Sequence, residues 1–348
     1  MQKGNVAKLD HADIMAVPSS PLGEATSRPR PPLSEGEGSG EGRANAVDQR
    51  EENRSRARLL MPGTCGELVQ GRIDGVPFHV SCPIDLFSEV EVGLVGPGEP
   101  WYFPADAPKA ASAVKAALAY LGLSRVGGRL SIRSSLPRGK GMASSTADVA
   151  GSIFAVFEAA GRTPESDEVA NLALSVEPTD GSILPGIAIF DHRTGLVREA
   201  LGDPPPIEIV VLDFGGEVDT LEFNSRSLDE ELCRLQPEFA RALELARKGL
   251  SEGDAALIGR AATVSAVANQ SILPKPRLSQ VIAFANRISA LGVNVGHSGT
   301  VIGVLLDPSR HDVLAVETSL RREFPDLLAS WRCKMIGGGF RLRSQVPL

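Results

Sequence analysis

Between residues 86 and 94 the chain reads Leu-Phe-Ser-Glu-Val-Glu-Val-Gly-Leu, with Val90, Val92 and Leu94 alternating against Glu89, Glu91 and Gly93. Period-2 alternation of this kind predicts a half-buried strand. Residues 129–133 repeat the pattern over a shorter span. The Ala-rich stretch 106–121 carries Val114, Leu118 and Leu121 at helical spacing, and 143–160 sets Val149, Ile153, Val156 and Phe157 on one helical face. A third helix is predicted to open at Thr163-Pro164-Glu165, with Thr as N-cap, Pro at the first helical position and acids in the first turn. Residues 186–190 and 207–213 read as strands, and the turn 191–195 closes a hairpin with 196–199. Helical periodicity returns at 227–250, 254–270 and 278–291. A buried strand follows at 301–306, then a helix near 311–324 and a strand near 331–336. Helices and strands mix without a strict β-α cadence, which favours an α+β fold over a doubly wound sheet.

The pattern fails over residues 1–57. They contain no Phe, Tyr or Trp, and the first aromatic residue is Phe78. Residues 18–42 are dominated by Pro, Gly, Ser and Glu, a composition that cannot bury enough apolar surface to offset the entropy of ordering. A disordered extension is expected there, with the fold starting at Arg58. Asp10 and Asp13, with no apolar run after them, argue against a secretory leader.

Composition narrows the function without naming it. The 36 Lys+Arg against 43 Asp+Glu give a net charge of −7, which argues against a nucleic-acid partner. No apolar run approaches the ~20 residues of a membrane span. The four cysteines form no C-x-x-C pair and read as reduced thiols of a cytoplasmic protein.

The candidate chemistry lies where a predicted strand gives way to a predicted helix, in Ser134-Ser135-Leu136-Pro137-Arg138-Gly139-Lys140-Gly141-Met142-Ala143-Ser144-Ser145-Thr146-Ala147-Asp148. Gly139 and Gly141 let backbone approach a ligand. Ser144, Ser145 and Thr146 place hydroxyls and helix-start N–H groups where a phosphate would be favoured. Arg138 and Lys140 add positive charge. A Walker A loop fails, because Ser134 stands at the first glycine and Gly141 follows Lys140. A dinucleotide fingerprint fails at Ser144.

The segment Pro137-x-x-x-Gly141-Met142-Ala143-Ser144-Ser145-Thr146-Ala147 resembles the phosphate loop of the GHMP kinases, usually Pro-x-x-x-Gly-Leu-Gly-Ser-Ser-Ala. Two more family segments occur in order: Pro62-Gly63-Thr64-Cys65-Gly66-Glu67-Leu68-Val69-Gln70-Gly71, and Gly292-Val293-Asn294-Val295-Gly296-His297-Ser298-Gly299-Thr300. The resemblance runs from about Arg58 to the C-terminus. It implies a two-domain α+β fold, with a ribosomal-protein-S5-like α/β domain over 58–200 and a ferredoxin-like α+β domain over 201–348. It also implies transfer of phosphate from ATP, with magnesium, to a small alcohol. Ser81-Cys82-Pro83-Ile84-Asp85, the Gly-Lys-Gly-Met-Ala-Ser-Ser-Thr-Ala-Asp loop and Glu177-Pro178-Thr179-Asp180 are most similar to the subgroup that phosphorylates L-threonine for the aminopropanol phosphate linker of cobalamin. Another small alcohol such as homoserine, or a nucleotide sensor without catalysis, are the alternative readings.

The resemblance also implies site roles. ATP would lie on Pro137–Thr146 and on Gly296, His297, Ser298 and Gly299. Ser145 and Glu177 would hold magnesium, and Asp180 would be the base. The basic residue that other members carry after the opening Pro-Gly is Thr64 here, so Lys140 or Arg138 is expected to supply the cation at the transferred phosphate. For a zwitterionic substrate, Glu67 and Asp85 are candidate partners of the ammonium and Gln70 of the carboxylate. Cys65 has no partner His in the sequence and reads as a small hydrophobe near a turn. His79 and His192 show no metal-ligand spacing.

Overall fold

Two long strands carry the architecture. In the computed structural model, which describes residues 55–73, 75–216, 229–297 and 299–342, β1 (Arg56–Ile73) pairs antiparallel with β2 (Val76–Pro97) over nearly its whole length. The register slips between Pro62 and Gly63, between Thr64 and Glu67, and between Glu67 and Val69. Those irregularities fall in the Pro-Gly-Thr-Cys-Gly run, so β1 has no clean alternation and periodicity alone does not reveal it. Bulges bend and twist a strand, and here they let one hairpin serve two cores.

Next come β3 (Trp101–Tyr102), α1 (Pro108–Tyr120), β4 (Val126–Ser134), α2 (Ser144–Ala159) and α3 (Ser166–Leu174). A hairpin of β5 (Ile187–Phe190) and β6 (Arg198–Gly202) precedes β7 (Glu208–Asp213). The second half holds α4 (Asp229–Arg234), α5 (Gln236–Glu252), α6 (Ala255–Ala268), α7 (Leu278–Arg287), β8 (Gly292–Val295), β9 (Ile302–Leu306), α8 (Val313–Glu323), β10 (Ala329–Lys334) and β11 (Arg341–Leu342). The sheet order is β10-β7-β9-β8-β1-β2-β4-β3, with β5 added to β2 and β11 to β1. Only β3 and β4 pair in parallel among the described strands, which agrees with the α+β expectation. The boundary expected at residue 200 falls inside β6, and the sheet passes through both halves.

Three expected boundaries move for local reasons. The third helix starts at Ser166, because Glu165 caps it and its N–H donates to Glu168 Oε2 at 3.2 Å. The span expected over 227–250 breaks around Leu235, with Pro237 in the first turn of α5, where its missing N–H costs nothing. Helix α7 stops at Arg287 and the chain turns into β8. The expected extension 1–57 lies outside the described residues except for 55–57, and there the expectation is corrected: Arg56 and Ala57 already belong to β1, paired with Gly93 and Val92 of β2, so the fold starts before Arg58.

The helices cover the sheet in two layers. Leu59, Met61, Val90, Val92 and Leu130 pack against α1, α2 and α3 in one core. Helix α2 is buried almost all round, and Gly151 lies so close to Val90 that an added Cβ would come within 2.8 Å of it. Strand β7 is sandwiched. Ile209 and Val211 face α5 and α6, while Val210 and Leu212 face α7 and α8. Burial on both faces accounts for the continuous apolar runs at β7 and β9.

Candidate active site

The three glycine-rich segments cross at one place. At Gly141 (φ 77°) a Cβ would lie 2.6 Å from Gly299 Cα, and at Gly66 (φ 56°) a Cβ would lie 2.4 Å from Val295 O. Only glycine fits either position, so the phosphate loop and the first segment are both locked against the third. The Thr300 N–H donates to Lys140 O at 3.1 Å, and the Thr64 N–H donates to Met142 O at 3.1 Å. The close approach at Gly141 is therefore to protein backbone rather than to a ligand, whereas Gly139 (φ 73°) has open space at its Cα.

Helix α2 begins beyond this crossing. Its N-cap, Ala143, adopts a left-handed conformation and offers no capping side chain. The first-turn amides have no intrahelical acceptors and stand at a cleft lined by Gly139, Gly141 and Met142–Thr146. Dipole and free donors together suit a phosphate. The Ser145 hydroxyl donates to Glu177 Oε1, and Lys109 Nζ lies 2.5 Å from Glu177 Oε2. One hydroxyl and one carboxylate, converging beside a phosphate cradle, are the hard oxygen donors that magnesium takes along with phosphate oxygens and water. The residues present fit that ion.

Asp180 stands on the other wall of the cleft, with Glu67 and His297. Ser81 Oγ donates to Asp180 Oδ1 at 3.1 Å, and the Asp180 N–H donates to Thr146 Oγ1 at 3.3 Å, which ties this acid to the first turn of α2. Burial, partly offset by the Ser81 hydroxyl, raises the Asp180 pKa to about 6. Burial likewise pushes Glu67 well above the carboxylate range, with Asp180 adding to it. The Glu67 carboxylate accepts from the His297 N–H at 2.8 Å. Lys275 faces Glu67 and donates from Nζ to Gly299 O at 2.5 Å, and burial lowers its pKa to about 8. The cavity between these walls measures about 200 Å³, room for the reacting ends of two small molecules rather than a whole nucleotide. A larger groove of about 720 Å³ runs along β3 and β4, but its Arg56 and Glu91 are ion-paired to each other, and no candidate acid or base meets there.

Other sequence-predicted residues go elsewhere. Lys140 Nζ sits 3.1 Å from Asp213 Oδ2 and donates to Gly216 O. Arg138 is turned to Asp106. Gln70 does not line the cleft, and its Oε1 lies 2.5 Å from His297 Nδ1. Asp85 accepts from the Lys334 N–H at 2.7 Å, outside the cleft. Gly296 packs against Gly66, and Ser298 lies outside the described residues. Cys65 is buried, with Sγ 3.6 Å from Asn294 Oδ1 and its thiol pushed well up by burial. Sequence reasoning missed Lys109, whose only signal was a lysine in the first turn of α1, and Lys275, which no motif marks.

This geometry agrees with the comparisons. Residues 108–188 match the GHMP kinases N terminal domain, and 246–326 match the GHMP kinases C terminal domain. The chain is 32% identical over 290 residues to the L-threonine kinase of Salmonella typhimurium, covering 81% of this chain and 94% of that protein. It is 31% identical over 292 residues to the L-threonine kinase of Citrobacter freundii, covering 81% and 98%. The crystal structure of homoserine kinase from Cytophaga hutchinsonii superposes with a TM-score of 0.64 at 16% identity, over 83% of this chain and 97% of that one. The fold and the cleft define a small-molecule kinase that transfers phosphate to an alcohol, and the chain belongs to the GHMP kinase family.

Proposed function

We propose that the protein transfers the γ-phosphoryl group of ATP to the side-chain hydroxyl of L-threonine, giving O-phospho-L-threonine and ADP. The observation that carries the reaction type is the meeting, in one cleft, of the α2 N-terminus with the Ser145–Glu177 pair on one side and Asp180 on the other. The substrate rests on the two relatives, each matched over nearly its whole length. A cytoplasmic setting suits the four free thiols, and the product would serve as precursor of the aminopropanol phosphate linker of cobalamin.

Phosphoryl transfer depends mostly on positioning and on neutralising charge. The first-turn amides of α2 cradle the phosphates, and Lys109 supplies the cation that Thr64 cannot. Ser145 and Glu177 would hold a magnesium ion, which when bound would help neutralise phosphate charge. Asp180 accepts the threonine hydroxyl proton as the new O–P bond forms and the bond from the γ-phosphorus to the β,γ-bridging oxygen breaks. Glu67 is the ammonium partner, and Gln70 acts through His297 rather than by touching substrate. Lys140, paired with Asp213, clamps the phosphate loop.

The test is a panel of L-threonine, L-serine, L-homoserine and galactose with ATP and magnesium, followed by phosphorus NMR of the products. Phosphothreonine as the dominant product is expected. Preference for another alcohol would move the substrate within the family, and ATP binding without product from any acceptor would sink the kinase reading.

A further inference from the structure

Three imidazoles from distant parts of the chain meet behind the acceptor wall. His79 lies on β2, His192 in the β5–β6 turn and His297 just after β8. The rings of His79 and His192 stack with centroids 3.9 Å apart at an interplanar angle of 6°, and His297 is 4.2 Å from the first and 5.4 Å from the second. One ring nitrogen from each lies within 4.8 Å of the others. His79 and His192 are 4% and 7% exposed, and none of their four ring nitrogens has a hydrogen-bond partner among the described residues. Buried polar atoms are normally satisfied, and phosphoryl transfer uses neither ring.

We propose that His79, His192 and His297 form a binding site for a borderline-soft divalent transition metal of the zinc class, separate from the oxygen site at Ser145 and Glu177. Three neutral imidazoles are a zinc donor set, and magnesium does not favour them. An outer partner is also in place. His297 Nδ1 lies 2.5 Å from Gln70 Oε1, the kind of outer contact that orients a metal-binding imidazole. Glu67 Oε1 lies 3.8 Å from His79 Nδ1 with Asp180 beyond it, two carboxyl groups whose ionised forms a bound cation would favour, and Lys275 and Arg193 oppose that cation. Zinc–nitrogen bonds of about 2.0–2.1 Å require the stacked His79 and His192 rings to turn toward a shared point, so metal binding must be accompanied by a side-chain rearrangement here. A metal there would tie β2, the β5–β6 turn and the third glycine segment together, and would fix the wall that carries Glu67.

The experiment uses untagged full-length protein, stripped with chelator and titrated with Zn²⁺ and Co²⁺ in the absence of ATP and amino acid, so its outcome does not depend on the kinase reading. One equivalent of Zn²⁺ per chain is expected, together with visible absorption from four-coordinate Co²⁺ and no displacement by excess magnesium. His192→Ala is expected to weaken binding by about 100-fold or more, while His311→Ala leaves it unchanged. Circular dichroism checks that each variant is folded, and the wild-type titration decides even if His192→Ala is not. Absence of saturable binding in the wild type, full competition by magnesium, or unchanged affinity in both His192→Ala and His79→Gln would overturn the site.

Discussion

The two walls of the cleft handle charge in opposite ways. On the phosphate wall, Ser145 and Lys109 are exposed, the Lys109 side chain by 60%, and the Glu177 charge, with its side chain 11% exposed, is balanced by direct contact with both. On the acceptor wall, burial disfavours the charged forms of Glu67, Asp180 and the histidines. Phosphates arrive heavily charged and need neutralising, so exposed ionic groups serve there. A threonine hydroxyl arrives neutral and must lose a proton during transfer, so a carboxylate with a raised pKa is the better acceptor. With the proposed roles, one site would separate electrostatic clamping from proton acceptance by degree of burial.

Substitutions can break this contrast at either wall. The largest effect is expected for Asp180→Asn, which keeps the shape but removes the proton acceptor. It should lower kcat by about 10²–10⁴-fold with an unchanged circular dichroism spectrum, and near wild-type turnover would remove Asp180 from the chemistry. Ser145→Ala should cost on the order of 10²-fold through misplacement of the phosphates, read as a loss in kcat and a higher magnesium requirement.

Lys109→Met should cost roughly tenfold, what one charge-assisted contact to a partly solvated phosphate supplies. Lys140→Met should leave kcat within about threefold while lowering Tm, because its amine is spent on Asp213. The reverse order in steady-state assays would return the role of phosphate cation to Lys140.

The smallest effect concerns pH. As the proposed proton acceptor Asp180 must be ionised, and burial raises its pKa to about 6, so kcat should fall as pH drops through that value. The Ser81 hydroxyl stabilises the ionised form, so Ser81→Ala should raise the pKa and move the acidic limb to higher pH by less than about one unit. A pH–rate profile that stays in place would separate Ser81 from the base.

Much of the phosphate wall was legible in the sequence, because it is local. Gly139 to Thr146 form one strand-to-helix turn, and glycine freedom and helix-start donors are readable from neighbours in the chain. Glu177 and Asp180 lie on a single turn as well. The acceptor wall was harder to read. β1 escaped periodicity analysis because its bulges fall on Pro62, Gly63 and Gly66. Ser88 of β2, a polar residue in the strand, is buried with its hydroxyl 2.5 Å from Asp148 Oδ1, a partner no local pattern records.

By itself the sequence determined the α+β class, the helix that opens the phosphate loop and the order of the three glycine-rich segments. Each depends on spacings of a few residues, within which backbone geometry is nearly fixed. Tertiary structure decided which charges face the cleft. It turned Lys140 to Asp213 and Asp85 to the Lys334 amide, brought Lys109 to Glu177, and stacked His79 on His192. Those choices are set by sheet register and by which helix covers which face, between residues far apart in the chain, where no local periodicity records who meets whom.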